Sequence, residues 1–361
     1  MHRALVSRLI RRVRPLAVLA AVSLAAVASA QQPPDRGNEE VLMQARMQEA
    51  RDYYQSAAPL IAASGQPRDL ALAAIVLDLA RFNEVSPPAD GTAPAPSISS
   101  DPQAVQWREL ASARAGSDVL ANAMLLATST NDPAAQAEAA RRWRTVEPDN
   151  LAPRLYDRTP EQQNAFPDIS GIKRNDLHYY DQVRWISQRL LSAPPSDAVL
   201  AGMTGGDALT AEEWATSLAA SLWAGIGMPQ YASIDRGCST QVGALEAARL
   251  RDCRQLADVL RNQSDTVLSQ FLGMSIADRL ADGSAERQAI ESQRLRAQWR
   301  TEQWGRLSAE QPKDGIPQFV RLLKDPGIKT EQQLVTRILD EANVSQDPPA
   351  GWQPTPPPTQ E

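Results

Sequence analysis

The chain has 361 residues, 43% of them apolar, and a net charge of −6, which is enough for one large helical domain or two smaller ones. Arg3, Arg8, Arg11, Arg12 and Arg14 precede an apolar run from Leu16 to Val27 and a small-residue site at Ala28-Ser29-Ala30, the three parts of an export signal. Cleavage after Ala30 takes those five positive charges from a net −6 and leaves −11, so a phosphate backbone is repelled and nucleic acid is excluded as a natural partner.

The apolar run is shorter than the roughly 20 residues that span a bilayer, and no second run of that length follows. The expected product is a soluble periplasmic or secreted protein with no transmembrane segment. Residues 31–37 read as a loose mature terminus, with helix from Asn38 towards Ala58. Leu72, Ile75, Val76, Leu79 and Phe82 then form one helical stripe. Four prolines between residues 86 and 97 make that stretch a loop.

From residue 101 a pattern repeats. Asp101-Pro102 and Asp132-Pro133 each place a capping carboxylate before a proline whose missing N–H is harmless in a first turn. Asp118 and Asp149, each followed by an apolar-alanine start, stand at the same offset of 31 residues. Two helix pairs are predicted over 101–156. The segment Trp143 to Ala152, with its Pro148-Asp149-Asn150 turn, resembles the junction between tetratricopeptide repeats. That resemblance covers 101–156 and implies antiparallel helix pairs and a surface that binds protein or peptide; 38–156, the N-terminal half, reads as one tetratricopeptide-like, solenoid-like region. Trp107, Trp143 and Tyr156 are candidate binding aromatics, although tryptophans at helical spacing more often fill a core.

The turn-rich stretch from Tyr156 to Lys173 is the expected domain boundary, opening a second helical region over 157–344. A helix is expected over Asn175–Leu191. Thr210 with Glu213 and Thr330 with Gln333 are capping boxes, whose hydroxyl and side-chain carbonyl satisfy reciprocal backbone donors. Ser264-Asp265 reads as the cap of an apolar helix suited to the centre of a bundle. Ile290, Ala297 and Trp304 set a heptad along the next helix. Cys238 and Cys253 are the only cysteines, and in an exported chain they predict a structural disulfide closing a loop worth about 3 kcal/mol. The prolines from Pro348 on predict a disordered tail over 345–361. The fold class is all-α, bundle-like in its C-terminal half.

Chemistry is sparse. His178 is the only histidine outside the signal, so paired-histidine zinc sites are excluded. Beside Asp176 and Asp181 it could act as a carboxylate-oriented base, or stand as an ordinary helix-surface residue. Ser170 and Lys173 match the Ser-x-x-Lys spacing of penicillin-binding proteins, without the companion motifs. Glu212 and Glu213 are adjacent carboxylates, but neighbours in sequence diverge on a helix. No phosphate loop, dinucleotide fingerprint or calcium loop occurs, so no cofactor, no metal and no catalytic residue is assigned. The expected function is a non-catalytic adaptor of the cell envelope that binds a protein or peptide. The alternative is an envelope enzyme, either a carboxylate-based cell-wall hydrolase or a Ser170/Lys173 acyl enzyme.

Overall fold

The computed structural model describes residues 36–82, 101–128, 132–156, 166–204, 209–229, 231–239, 245–310 and 312–355. The expected signal, the proline loop at 86–97 and the last six residues lie outside them. Among the described residues there are fifteen helices and, besides them, two isolated β-bridges. The protein is all-α. The chain forms two compact units: one holds the described residues up to Val146 with Gln182–Met228, the other Glu147–Asp181 with everything from Pro229 on.

The first unit contains α1 (Arg36–Ala62), α2 (Pro67–Phe82), α3 (Pro102–Ala115), α4 (Val119–Thr128), α5 (Pro133–Val146), most of α7 (Tyr179–Leu190), α8 (Asp197–Thr204) and α9 (Ala211–Ile226). Three starts follow the predicted chemistry. Asp101 accepts from the Gln103 N–H at 2.8 Å, Asp118 from Ala121 at 3.0 Å and Asp132 from Ala135 at 3.0 Å. The Thr210–Glu213 box closes in both directions at the head of α9. At the centre is α2, packed on α1, α3 and α4. Leu70 through Val76 are buried without interruption, so the single stripe expected for this helix is too narrow. Ala71, Ala73 and Ala74 explain the difference, because small side chains let neighbouring helices close on every side. Arg68 pairs with Asp118 at 2.7 Å, and Arg189 reaches the buried Asp69 at 2.9 Å.

The second unit contains α6 (Ala152–Leu155), α10 (Ala232–Gly237), α11 (Ala247–Asn262), α12 (Val267–Leu280), α13 (Ser284–Glu310), α14 (Pro312–Leu323) and α15 (Glu331–Glu341). The boundary expected between Tyr156 and Lys173 falls inside it. Leu151, Leu155, Ile169 and Ile172 on either side of that turn-rich stretch share one apolar core with Ile234, Leu256, Leu260 and Ile276. The predicted Cys238–Cys253 disulfide is present in that core and ties the end of α10 to α11. Between α11 and α13 lies α12. A Cβ on its Gly273 would stand 2.5 Å from the Arg261 nitrogen and 2.8 Å from the Ala257 carbonyl, so only glycine permits that approach.

Four expectations need correction here. The helix expected from Asn175 starts at Tyr179, because Arg174 and Asn175 are held extended by bridges to Asn150 and Ser264. Asp149 does not start a long helix; Asn150 accepts from the Ala152 N–H at 3.1 Å and heads a single turn. Along α13, Ile290 is buried as the heptad requires, but Gln303 takes the buried place expected for Trp304. The tail expected to be disordered from residue 345 is ordered through Thr355, where Trp352 meets Trp299 edge to face at 5.3 Å.

Candidate functional site

The densest polar cluster is built where the chain runs extended from Arg174 to His178 into α7. Asn150 stitches that run in place, donating from Nδ2 to the Asp176 carbonyl at 2.8 Å and accepting the Asp176 N–H at 3.0 Å. Asp265, far off in sequence, uses one carboxylate oxygen to accept the N–H groups of Leu177 and Tyr179 at 3.0 and 3.1 Å. It thereby caps α7, satisfying donors that a helix start leaves free. His178 has a left-handed backbone, φ 53°, which turns its ring towards Glu147. Nε2 lies 3.0 Å from that carboxylate, and Nδ1 lies 3.8 and 3.9 Å from Asp176 and Asp181. Arg174 pairs with Glu147 and Asp176 at 3.1 Å and with Asp149 at 3.4 Å.

Electrostatics decide what this cluster can do. Burial alone would lower the His178 pKa, but the hydrogen bonds the ring donates to Asp181 and Glu147 and the charges of Asp176 and Glu147 outweigh it and raise it to about 10. Both ring nitrogens face carboxylates, Nε2 against Glu147 and Nδ1 towards Asp176 and Asp181, an arrangement that favours the charged ring. For Asp265, burial first and the Asp176 charge second hold the carboxyl well above its ordinary range, against the pull of the two N–H groups and His178. Glu331 is likewise raised by burial, opposed by the Val267 N–H that it accepts at 2.6 Å at the head of α12. The cluster reads as a lock that fixes the entry to α7. Among the described residues no group of three or more His, Cys, Asp or Glu is arranged to hold a metal.

The first unit offers a different kind of site. An open groove of about 500 Å³ is lined by Glu49, Asp52, Tyr53, Ala57 and Leu60 of α1 and by the Ser192–Val199 segment that leads into α8. Its floor is fixed: the Tyr53 hydroxyl donates to the Ala193 carbonyl at 2.8 Å, and its ring meets Trp214 edge to face at 5.1 Å. Burial, with the neighbouring Tyr54 charge, pushes the Tyr53 phenol above its usual range. The rim is open, with Leu60 exposed to 64%; Leu42, exposed to 56%, lies further along the same helix. Leu42, Glu49, Tyr53, Ser56 and Leu60 are separated by helical intervals and share one face of α1. The Glu49 carboxylate lies directly over Gly202 of α8.

The chain matches no protein-family model, no curated protein and no solved structure. Its sites are therefore assigned from their own chemistry. Trp143 and Tyr156 are fully buried and Trp107 nearly so, which corrects their assignment as binding-surface aromatics; at helical spacing these rings fill cores. Ser170 sits exposed in a turn closed by its N–H to Asp168 at 2.9 Å, and Lys173 is exposed beyond it, so the pair lacks the helix start that would aim the amine at the hydroxyl. Glu213 spends its carboxylate on the Thr210 N–H at 2.8 Å. A second open groove, about 520 Å³, lies between residues 166–171 and α11, where Arg249 stacks 4.0 Å over Phe166.

Sequence reasoning gave Ser264-Asp265 to the head of α12, so it missed that Asp265 serves α7, and it missed the α1 face. Asp265 was hidden because Ser264, Asp265 and Thr266 are all capping residues, and Thr266 is the one that caps α12. The α1 face was legible as Leu42, Glu49, Tyr53 and Leu60 at seven, four and seven residues apart.

Proposed function

We propose that this chain is an exported, non-catalytic binding protein of the cell envelope, which docks a segment of another protein rich in basic and apolar residues along α1. The observation that carries this reading is the groove itself: Leu60 is left exposed beside Val199 over a rigid floor, with the carboxylates of Glu49 and Asp52 on the same helix. From Leu42 to Leu60 the face is about 27 Å long, the length of roughly eight extended residues. Lysine or arginine on the docked segment would meet the acidic rim, while its apolar residues meet Leu60, Ala57 and Val199.

Export is supported by the arginine-led apolar segment ending at Ala30 and by a disulfide suited to an oxidising compartment. No helix among the described residues is long and apolar enough to cross a membrane. The likeness of residues 101–156 to tetratricopeptide junctions is in keeping with a partner-binding role, since helical arrays commonly present extended surfaces.

The test is anisotropy of two labelled amphipathic peptides of equal length, one of Leu and Lys, the other of Leu and Glu, titrated with the mature protein. The Lys peptide should bind at least tenfold more tightly, weaken as salt is raised because the rim charges are exposed, and lose most of its affinity to Leu60→Asp. Equal binding of both peptides, or binding unmoved by Leu60→Asp, would overturn the reading.

A further inference from the structure

Residues 345–355 continue past α15 as a non-helical segment that bends at Gln346 and Asp347 and lies against α13. Gln346, Pro348, Trp352 and Pro354 are half-buried, while Ser345, Asp347, Pro349, Ala350, Gly351, Gln353 and Thr355 are exposed. The Trp299 indole N–H donates to the Ser345 carbonyl at 2.7 Å, and Arg300 Nε donates to the Gln346 carbonyl at 3.0 Å. Gln346 donates to Asp340 of α15 at 2.7 Å. A turn follows, closed by the Trp352 N–H on the Pro349 carbonyl at 3.1 Å and made possible by Gly351 at φ 78°. It returns Trp352 onto Trp299, ring centroids 5.3 Å apart and planes at 79°, and the Thr355 hydroxyl donates to the Glu302 carboxylate.

Two donors and one aromatic face on a single helix hold this segment: Trp299 and Arg300 donate to the consecutive Ser345 and Gln346 carbonyls, and the Trp299 ring receives Trp352. The contacts are side-chain contacts spaced along a segment outside the helical core, so the segment can leave while the helices stay packed.

We infer that the Trp299–Arg300–Glu302 strip of α13 is a binding site for a non-helical peptide segment that offers two consecutive carbonyls and a tryptophan, with the chain's own tail as its resident ligand. The tether from the end of α15 is short, and a short tether holds a ligand at roughly millimolar effective concentration. A free segment of the same kind is therefore excluded from the intact protein and admitted when the tail is loosened. This inference is independent of the α1 groove.

The experiment titrates a labelled peptide of residues 345–355 with three full-length proteins. Wild type should show negligible binding. Trp352→Ala, which removes the clasp, and Gly351→Val, which strains the turn without touching α13, should each bind the peptide at least tenfold more tightly than wild type, with helical circular dichroism unchanged. Adding Trp299→Ala to either variant should abolish that gain, and a scrambled peptide should not bind. If neither loosened protein takes up the peptide, or if the Trp299→Ala proteins or the scrambled peptide bind equally, the inference fails and the tail is a fixed part of the fold.

Discussion

The Asp265 carboxylate accepts the backbone N–H of Leu177 at 3.0 Å across 88 residues of sequence, and the Tyr179 N–H with the same oxygen. One side chain from the loop before α12 thus sets where α7 begins. Asp265→Ala should leave those donors buried and unsatisfied and cost about 2 kcal/mol. Asp265→Asn keeps an acceptor oxygen and should cost less than about 1 kcal/mol. The carboxyl pKa is raised in the folded state, so its contribution is complete below the ordinary aspartate range and falls away as pH rises through the folded value. The Asn variant, which never ionises, should therefore gain on wild type as pH rises; urea titrations at pH 5 and pH 8 measure this.

His178 carries a linkage of the same sign. Its pKa is raised from 6.5 to about 10, with burial opposing and Asp181, Glu147 and Asp176 prevailing. The stabilisation is complete below about 6.5 and is lost as pH rises through about 10. His178→Asn tolerates the left-handed backbone but carries no charge. Its melting temperature should lie several degrees below wild type at pH 6, with the gap closing towards pH 10.5. A gap that stays constant over that range would show that Glu147 and Asp181 do not hold a proton on the ring.

What the sequence made legible was local. Caps at Asp101, Asp118, Asp132, Thr210 and Thr330 depend on residues within three positions of one another, and each forms as read. The cysteine pair needed only compartment and spacing. What stayed hidden was long-range. Nothing near Asp265 says that its carboxylate serves α7, and nothing near Pro348 says that Trp299 waits for the segment; composition alone argued for disorder there. The tryptophans misled in the opposite direction, because a helical repeat of aromatics is the same pattern whether it faces a partner or the core.

The Cys238–Cys253 bridge closes a loop of 15 residues, and both cysteines are fully buried. Replacing both by Ala should lower stability by about 3 kcal/mol. Because burial denies a reductant access, dithiothreitol should leave the native protein oxidised and reduce it only in denaturant. Rapid reduction under native conditions would show that α10 and α11 open together.

Gly273 tests how closely α11 and α12 are packed. A methyl there would stand 2.5 Å from the Arg261 nitrogen and 2.8 Å from both the Ala257 carbonyl and the Leu260 Cβ. Two of the three neighbours are backbone atoms of α11, which cannot swing aside as a long side chain would, so the helices themselves must part. Alanine favours helix over glycine by about 1 kcal/mol, while overpacking of this kind costs about 1–3 kcal/mol. Gly273→Ala should therefore be destabilising in sum, with a melting temperature several degrees below wild type and native-state hydrogen exchange accelerated in α11 and α12 first. By contrast, Gly305→Ala on α13, where a Cβ would meet nothing within 4 Å, should raise stability through the same helix preference. If both substitutions stabilise, the contact at Gly273 is looser than this geometry requires.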